Sequence, residues 1–142
     1  MKKLLSAICI FVLIFSLSAC TYIEEEDAKL FVEEYLELLE EENYDEIELK
    51  SHFYETDIVE GLKKLEDEAN LDFQAGIEII EYTGFKSQHS DSYYGKPICE
   101  LTINTKIGGV YALMEVCVID NEGVFNVCDI YITVNSELFG IS

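Results

Sequence analysis

Two carboxylates and a tyrosine in the second half of the chain are the side chains best suited to acid–base or cation-binding chemistry. Glu115 and Asp129 fall on neighbouring predicted strands, and the predicted turn between the strands places them directly opposite each other. Paired carboxylates are unfavourable unless they are solvated, bridged by a cation or sharing a proton. If their face of the sheet lines a cavity, we expect a cation-binding or acid–base site there, with Leu113 and Tyr131 beside it. If that face is open to water, the pair is an ordinary solvated surface feature.

A second reactive group is the thiol of Cys20, which ends the segment Leu17-Ser18-Ala19-Cys20. Lys2 and Lys3 precede an apolar run over residues 4–17. This run has the length of a secretory signal and is shorter than the roughly 20 residues of a membrane-spanning helix. The first charged residues after it, from Glu24 onward, are acidic, whereas a stop-transfer anchor favours Lys or Arg on that flank. The pattern therefore predicts a cleaved leader.

The four residues that end at Cys20 resemble the lipobox of bacterial lipoproteins, which has Leu, two small residues and Cys. The resemblance implies that the Cys20 thiol is alkylated with diacylglycerol and that cleavage makes it the first residue of the mature protein. Residues 1–19 are then a signal peptide, and residues 20–26 are a short lipidated tether. The implied location is extracytoplasmic, anchored to the bacterial membrane by lipid. The alternative is an ordinary signal peptide cut after Ser18 or Ala19, with Cys20 incidental.

The retained chain is strongly acidic. All 29 acidic residues lie after Cys20, and removal of Lys2 and Lys3 leaves seven lysines, no arginine and a net charge near −22. Nucleic acid is excluded as a partner, because binding it requires neutralisation of phosphates. The same charge is repelled by an anionic bilayer, so we expect lipid, and not surface charge, to hold the protein at the membrane.

Helical periodicity dominates the first half of the retained chain. Apolar residues recur at helical spacing over residues 28–39, and Asn43-Tyr44-Asp45 breaks the pattern. A short helix is expected over Glu46–Phe53, and Asp57 is typical of an N-cap that opens a further helix ending near Ala69. The acidic outer face of these helices is a candidate for divalent cations, although no calcium-binding loop accompanies it. The alternative is a solvated helix face.

Alternating apolar and polar residues predict four strands in the second half of the chain. Gly108-Gly109 is typical of a two-residue hairpin turn, and Asn121-Glu122-Gly123 is expected to form a three-residue loop. The fold class is therefore α+β, with N-terminal helices packed on a curved antiparallel meander sheet. The predicted domain covers residues 27–136, and residues 137–142 are a C-terminal tail. The four strands cover Ile77–Phe85, Pro97–Thr105, Val110–Ile119 and Val124–Val134.

Three cysteines remain in the strand half of the chain. The predicted register places Cys99 and Cys128 on the core face two strands apart, roughly 9 to 10 Å, which is too far for a disulfide. Cys117 points to the opposite face. We therefore predict three reduced, largely buried thiols and no disulfide. His52 and His89 lack metal-ligand spacing, and neither a metal site nor a cofactor is predicted.

The order of elements resembles the nuclear transport factor 2-like (cystatin-like) superfamily, in particular its small bacterial lipoproteins of unknown function. The resemblance covers residues 24–135 and includes the helix that ends near Asn43-Tyr44-Asp45. It also includes a closing strand with the pattern Gly-aromatic-x-aliphatic, here Gly123, Phe125 and Val127. It implies a helix-packed, cone-like sheet that often encloses a pocket and often dimerises through the sheet. Enzymes of the family use acids and tyrosines inside the cone, but none of their motifs matches position by position, so no catalytic residue is carried over.

Three functions are compatible with these observations. The preferred one is a non-enzymatic binding or interaction module that recognises a small ligand or another envelope protein and that forms a homodimer through the sheet. It is preferred because the chain has no phosphate-binding glycine loop, no Gly-x-Ser-x-Gly elbow and no Cys-x-x-Cys. The second is an isomerase- or dehydratase-like enzyme that uses Glu115 and Asp129 in a cone pocket. The third is divalent-cation binding through the acidic helix face.

Overall fold

Helices come first in the described part of the chain, and a single sheet follows. In a computed structural model of the protein, residues 22–53 and 57–141 are described. The predicted signal peptide and the lipidation site Cys20 lie outside these residues. Within the described ranges, no helix combines the length and apolar character needed to cross a membrane. The helices of this part are α1 (Glu25–Glu40), α2 (Tyr44–Leu49) and α3 (Ile58–Ala69).

The sheet has five antiparallel strands in the order β1-β2-β3-β4-β5, so each strand pairs with its neighbours in sequence. This arrangement confirms the predicted α+β class, with helices N-terminal to a curved antiparallel meander. Two irregularities in β1 and one between β3 and β4 interrupt the regular pairing. Such bulges bend strands and increase their twist. The strands are β1 (Ile77–Ser90), β2 (Lys96–Ile107), β3 (Val110–Asn121), β4 (Val124–Val134) and β5 (Glu137–Ile141).

Amphipathic spacing explains why the first and third helices form and pack. The buried residues of α1 recur every three or four positions, as expected for one helical face. The Asp57 carboxylate accepts hydrogen bonds from the main-chain N–H groups of Val59 and Glu60, at 3.0 and 3.1 Å. Asp57 is therefore the N-cap of α3 that the sequence predicted. The helix ends at Asn70, which has left-handed backbone geometry.

The main core lies between the helices and one face of the sheet, which we call the core face. Alternate residues of β2, β3 and β4 point to it, because side chains alternate along a strand. Burial of these aliphatic side chains contributes about 1.5–3 kcal/mol each. A smaller apolar cluster lies on the other face of the sheet, which we call the outer face. The central members of the main core are Val32, Leu36, Leu62, Leu65, Leu101, Ile103, Met114, Val116, Ile130 and Ile132.

Both predicted ends of the domain need correction. The predicted C-terminal tail forms β5, and Ile141 is only 5% exposed. The turn that leads into β5 is Asn135-Ser136, with positive φ at both residues, which is the geometry of a tight hairpin turn. At the other end, Ile23 is 3% exposed and joins the core, so part of the predicted tether of residues 20–26 already belongs to the domain.

The predicted pairing of β3 with β4 is wrong in two places. The connecting loop has two residues, Glu122 and Gly123, because Asn121 pairs with Val124. A bulge then inserts Cys128 as an extra residue between the pairs Val118–Val127 and Cys117–Asp129. Each change shifts the predicted register by one residue. Together they shift it by two, so the later residues of β4 keep their predicted face.

Candidate ligand groove on the outer sheet face

The outer face carries a half-open groove of about 350 Å³ over the middle of β2, β3, β4 and β5. Its position follows from strand alternation, since the even-numbered residues of β2 and the odd-numbered residues of β3 point away from the helices. The helices cover the core face only, so this side of the sheet has no layer over it among the described residues. The groove is lined by Glu100, Thr102, Glu115, Val116, Cys117, Asp129, Tyr131 and Leu138.

Three of the four predicted site residues lie in this groove, and one does not. Glu115, Asp129 and Tyr131 all line it. Leu113 lies further along β3, where it pairs with Asn104 and Thr133, and it contributes to a different surface depression. Three of the four candidate residues therefore share the face of the sheet that carries the groove.

The predicted direct opposition of Glu115 and Asp129 is wrong. The two-residue shift of register pairs Glu115 with Tyr131, and it pairs Asp129 with Cys117. The register therefore gives no support to a proton shared between the two carboxylates at one cross-strand position. The carboxylates occupy successive cross-strand rows of the same groove.

Glu100 is a groove carboxylate that the sequence did not single out. It pairs with Cys117, which in turn pairs with Asp129, so the three residues form one row across β2, β3 and β4. Lys86 pairs with Glu100 from β1, but it is exposed and does not line the groove. The sequence could have indicated Glu100, because it lies two residues before Thr102 in β2 and therefore on the same face of the sheet.

The groove is electrostatically negative. None of its lining residues is basic. Burial raises the pKa of the Asp129 carboxyl above its usual range, and the neighbouring Glu100 carboxylate raises it further. Both effects disfavour the ionised form of Asp129. A cation bound in the groove would instead favour the ionised form of Asp129, because it would offset the repulsion from the Glu100 carboxylate.

One wall of the groove depends on a glycine. Tyr131 pairs with Gly140 of β5, and the Tyr131 ring lies against the bare Cα of that glycine. A Cβ atom at Gly140 would lie 2.2 Å from Cδ1 and 2.6 Å from Cε1 of this ring. The absence of a side chain at Gly140 therefore allows the ring to take this position, where it lines the groove together with Leu138.

The two-residue turn and the bulge in β4 bring two thiols together beside the groove. Cys128 is fully buried and Cys117 is 7% exposed. The Cys128 thiol donates a hydrogen bond to the main-chain carbonyl of Cys117 at 3.4 Å. The hydrogen bond between the two side chains and their burial raise the pKa of the Cys117 thiol. The sequence prediction that Cys117 points away from Cys128 is therefore wrong.

The third thiol lies on the opposite side of the sheet. Cys99 packs in the main core, and burial raises the pKa of its thiol to about 12. All three thiols are buried, as the sequence predicted. Cys128 occupies the outer face with Ile98, Cys117 and Ile119, and Tyr93 packs against this cluster. Its predicted place on the core face is taken by Val127, because the two-residue turn shifts the pairing of residues 124–127 by one and so exchanges their faces.

The acidic side chains on the outer face of the helices are dispersed along the surface, and some of them pair with lysines. Lys29 forms an ion pair with Glu25 at 2.8 Å, and Lys50 forms one with Glu34 at 3.2 Å. Within residues 22–53 and 57–141, no three helix carboxylates approach closely enough to ligate one ion together. This surface therefore has the distribution of a solvated helix face.

Comparison of the chain with protein-family models, with curated proteins and with solved structures finds no match.

Proposed function

We propose that the protein is a non-enzymatic, lipid-anchored, extracytoplasmic module that binds a small, positively charged ligand in the outer-face groove. The observation that carries the proposal is the lining of the groove, where Glu100, Glu115 and Asp129 surround a space with no basic side chain. The order of helices before a curved meander supports the proposed kinship with the nuclear transport factor 2-like superfamily. The fold by itself assigns no ligand.

The groove combines charge with apolar surface. Its volume of about 350 Å³ lies at the lower end of the roughly 300–1,000 Å³ range of small-molecule sites. Carboxylates bind ammonium groups by charge-assisted hydrogen bonds. Tyr131 and Leu138 also line the groove, where an aromatic ring can attract a cation and both side chains can contact an apolar group. An organic amine with a short apolar body satisfies both features.

Phenethylamine is a suitable probe, and 2-phenylethanol is its neutral control. We expect phenethylamine to bind the full chain, purified in detergent, with at least about tenfold higher affinity than 2-phenylethanol, because the charge contacts each contribute about 1.5–3 kcal/mol. Glu115→Gln is expected to weaken binding of the amine several-fold. Isothermal titration calorimetry at moderate salt measures each affinity.

A charge-matched control separates the groove from the general negative charge of the protein. Glu37→Gln changes an exposed carboxylate on α1, on the other side of the sheet, and should leave the affinity for phenethylamine unchanged. If Glu37→Gln and Glu115→Gln weaken binding equally, the attraction is nonspecific and the proposed groove function is wrong.

The proposed anchor fixes which end of the sheet faces the membrane. Tyr22 packs against His89 with ring centroids 4.7 Å apart, and the next residue, Ile23, is buried in the core. Cys20 is two residues before Tyr22, a distance of at most about 7 Å. The lipid is therefore held at the end of the sheet where β1 turns into β2. Tyr94 lies in this connection and is 89% exposed.

Tyr94→Trp is a direct test of this orientation, because the chain contains no other tryptophan. We expect brominated phosphatidylcholine to quench the fluorescence of this variant strongly when the lipidated protein is reconstituted into vesicles. Tyr111→Trp is the matched control, since Tyr111 is also exposed but pairs with Lys106 near the opposite turn of β2 and β3. The two positions are separated by roughly 33 Å along the strands. Equal quenching of both variants would contradict the orientation.

A further inference from the structure

Three ligand atoms of different side chains converge where β3 meets the bulge of β4. The thiol sulfurs of Cys117 and Cys128 and a carboxylate oxygen of Asp129 all lie within 4.8 Å of one another. The bulge produces this convergence, because it places two successive residues of β4 opposite Cys117. Without the bulge, the two-residue turn would pair Cys128 with Cys117 and would send Asp129 to the core face, opposite Val116.

The chemistry of these donors is selective. Thiolates are soft ligands that favour zinc and copper(I), whereas calcium and magnesium favour oxygen ligands alone. Zinc ligands at about 2.0–2.3 Å from the ion are held about 3.3–3.8 Å apart in a tetrahedral site. Donor atoms within 4.8 Å of one another reach that geometry by small side-chain rotations.

The surroundings of the three donors match a metal site that is open on one side. Ile98 and Ile119 form a buried cluster with the two thiols, and Tyr93 packs against it, so these side chains limit the access of water to the thiols. Cys117 and Asp129 also line the groove, so an ion reaches the thiols through the groove. Glu100 lies directly across from Cys117, and its carboxylate adds negative charge beside the open position.

We propose that Cys117, Cys128 and Asp129 form a three-ligand site for a thiophilic divalent ion such as Zn²⁺, with the fourth coordination position facing the outer-face groove. The inference rests on the proposed function in one respect, because the metal site opens into the same groove that we propose binds the amine. Binding requires the loss of the two thiol protons, so Zn²⁺ binding releases protons. No electron transfer is involved.

Cobalt(II) is the spectroscopic probe for this site, because it replaces zinc and reports thiolate ligands by charge-transfer absorption. The experiment uses the full chain in detergent with its thiols reduced. We expect a near-ultraviolet thiolate-to-cobalt band at one equivalent of Co²⁺, and we expect Zn²⁺ to displace it. Zn²⁺ should also protect two of the three buried thiols from modification in partly denaturing conditions.

Cys128→Ser is expected to abolish the thiolate-to-cobalt band, or to weaken affinity by more than the roughly 10- to 100-fold that loss of an outer-shell partner causes. Cys99→Ala is the matched control, because Cys99 lies in the main core, and this variant should keep the band. If Cys128→Ser does not fold, Asp129→Asn keeps the shape of the side chain and should still lower the affinity at least tenfold.

The outcomes distinguish this inference from the proposed function. Cys128 does not line the groove, so Cys128→Ser should lose Co²⁺ while it keeps phenethylamine binding. A thiolate band without phenethylamine binding contradicts the proposed function and supports the metal site. Absence of the band in the reduced wild-type chain, or a Cys117–Cys128 disulfide in the purified protein, overturns the metal site.

Discussion

Cys20→Ser is expected to transfer the protein almost completely from the membrane fraction to the soluble fraction. Serine cannot accept diacylglycerol, and each buried methylene of an acyl chain contributes about 0.8 kcal/mol to membrane binding. The domain cannot compensate, because a net charge of −20 for the whole chain is repelled by anionic lipids. Fractionation after a high-salt wash, with mass spectrometry of the N-terminal peptide, measures both location and lipidation.

Cys9→Ser is the matched control for this prediction. It changes the one thiol of the predicted signal peptide, which is removed if cleavage occurs before Cys20, and it should leave the mature protein lipidated. Retention of the Cys20→Ser variant in the membrane would show that something other than lipid holds the protein. A wild-type protein released without lipid would instead favour the ordinary signal peptide.

Gly140→Ala is expected to destabilise the protein and to close the groove. The new Cβ would lie 2.2 Å from the Tyr131 ring and 3.1 Å from the Ile130 carbonyl oxygen, so either the ring or β5 must move. Overpacking of this kind lowers the free energy of unfolding by about 1–3 kcal/mol. If the ring moves, it enters the space beside Leu138, and binding of phenethylamine is lost. Urea unfolding and calorimetry measure the two effects.

A double-mutant cycle isolates the contact between ring and glycine. In a Tyr131→Ala background the clash is absent, so Gly140→Ala should lower the free energy of unfolding by much less than it does in the wild type. An equal decrease in both backgrounds would mean that the effect comes from the main chain of β5. In that case the glycine would have no part in forming the wall.

Apolar residues recur about every 3.6 positions in the helices and every two positions in the strands. This periodicity was sufficient to predict the type and order of the helices and of the four long strands. The Asp57 cap, the two-residue Gly108-Gly109 turn and the pairing of Leu101 with Val116 follow directly from local residue types, and the structure contains all three. These features depend on neighbours in sequence or on a single tight turn. Local physical chemistry therefore determines them.

The site itself depends on features that local patterns do not report. Glu122-Gly123 and Asn135-Ser136 form turns with positive φ at both residues, although each pair contains a residue that seldom takes this geometry. The strands that flank each turn pack over the core and hold the turn residues in this backbone geometry. The second turn creates β5, and β5 supplies Leu138 and Gly140 to the groove.

The sequence by itself determined the helices, the four long strands, the acidic charge and the resemblance of Leu17–Cys20 to a lipobox. Only the tertiary structure decided which outer-face residues meet. The reason is that side chains alternate faces with a period of two, so the two-residue turn reverses the predicted faces of residues 124–128, and the inserted residue Cys128 restores the predicted faces from Asp129 onward. Val127 is held at the core by burial and by main-chain hydrogen bonds with Lys50 and His52. Those partners are distant in sequence, and no pattern within β4 indicates them.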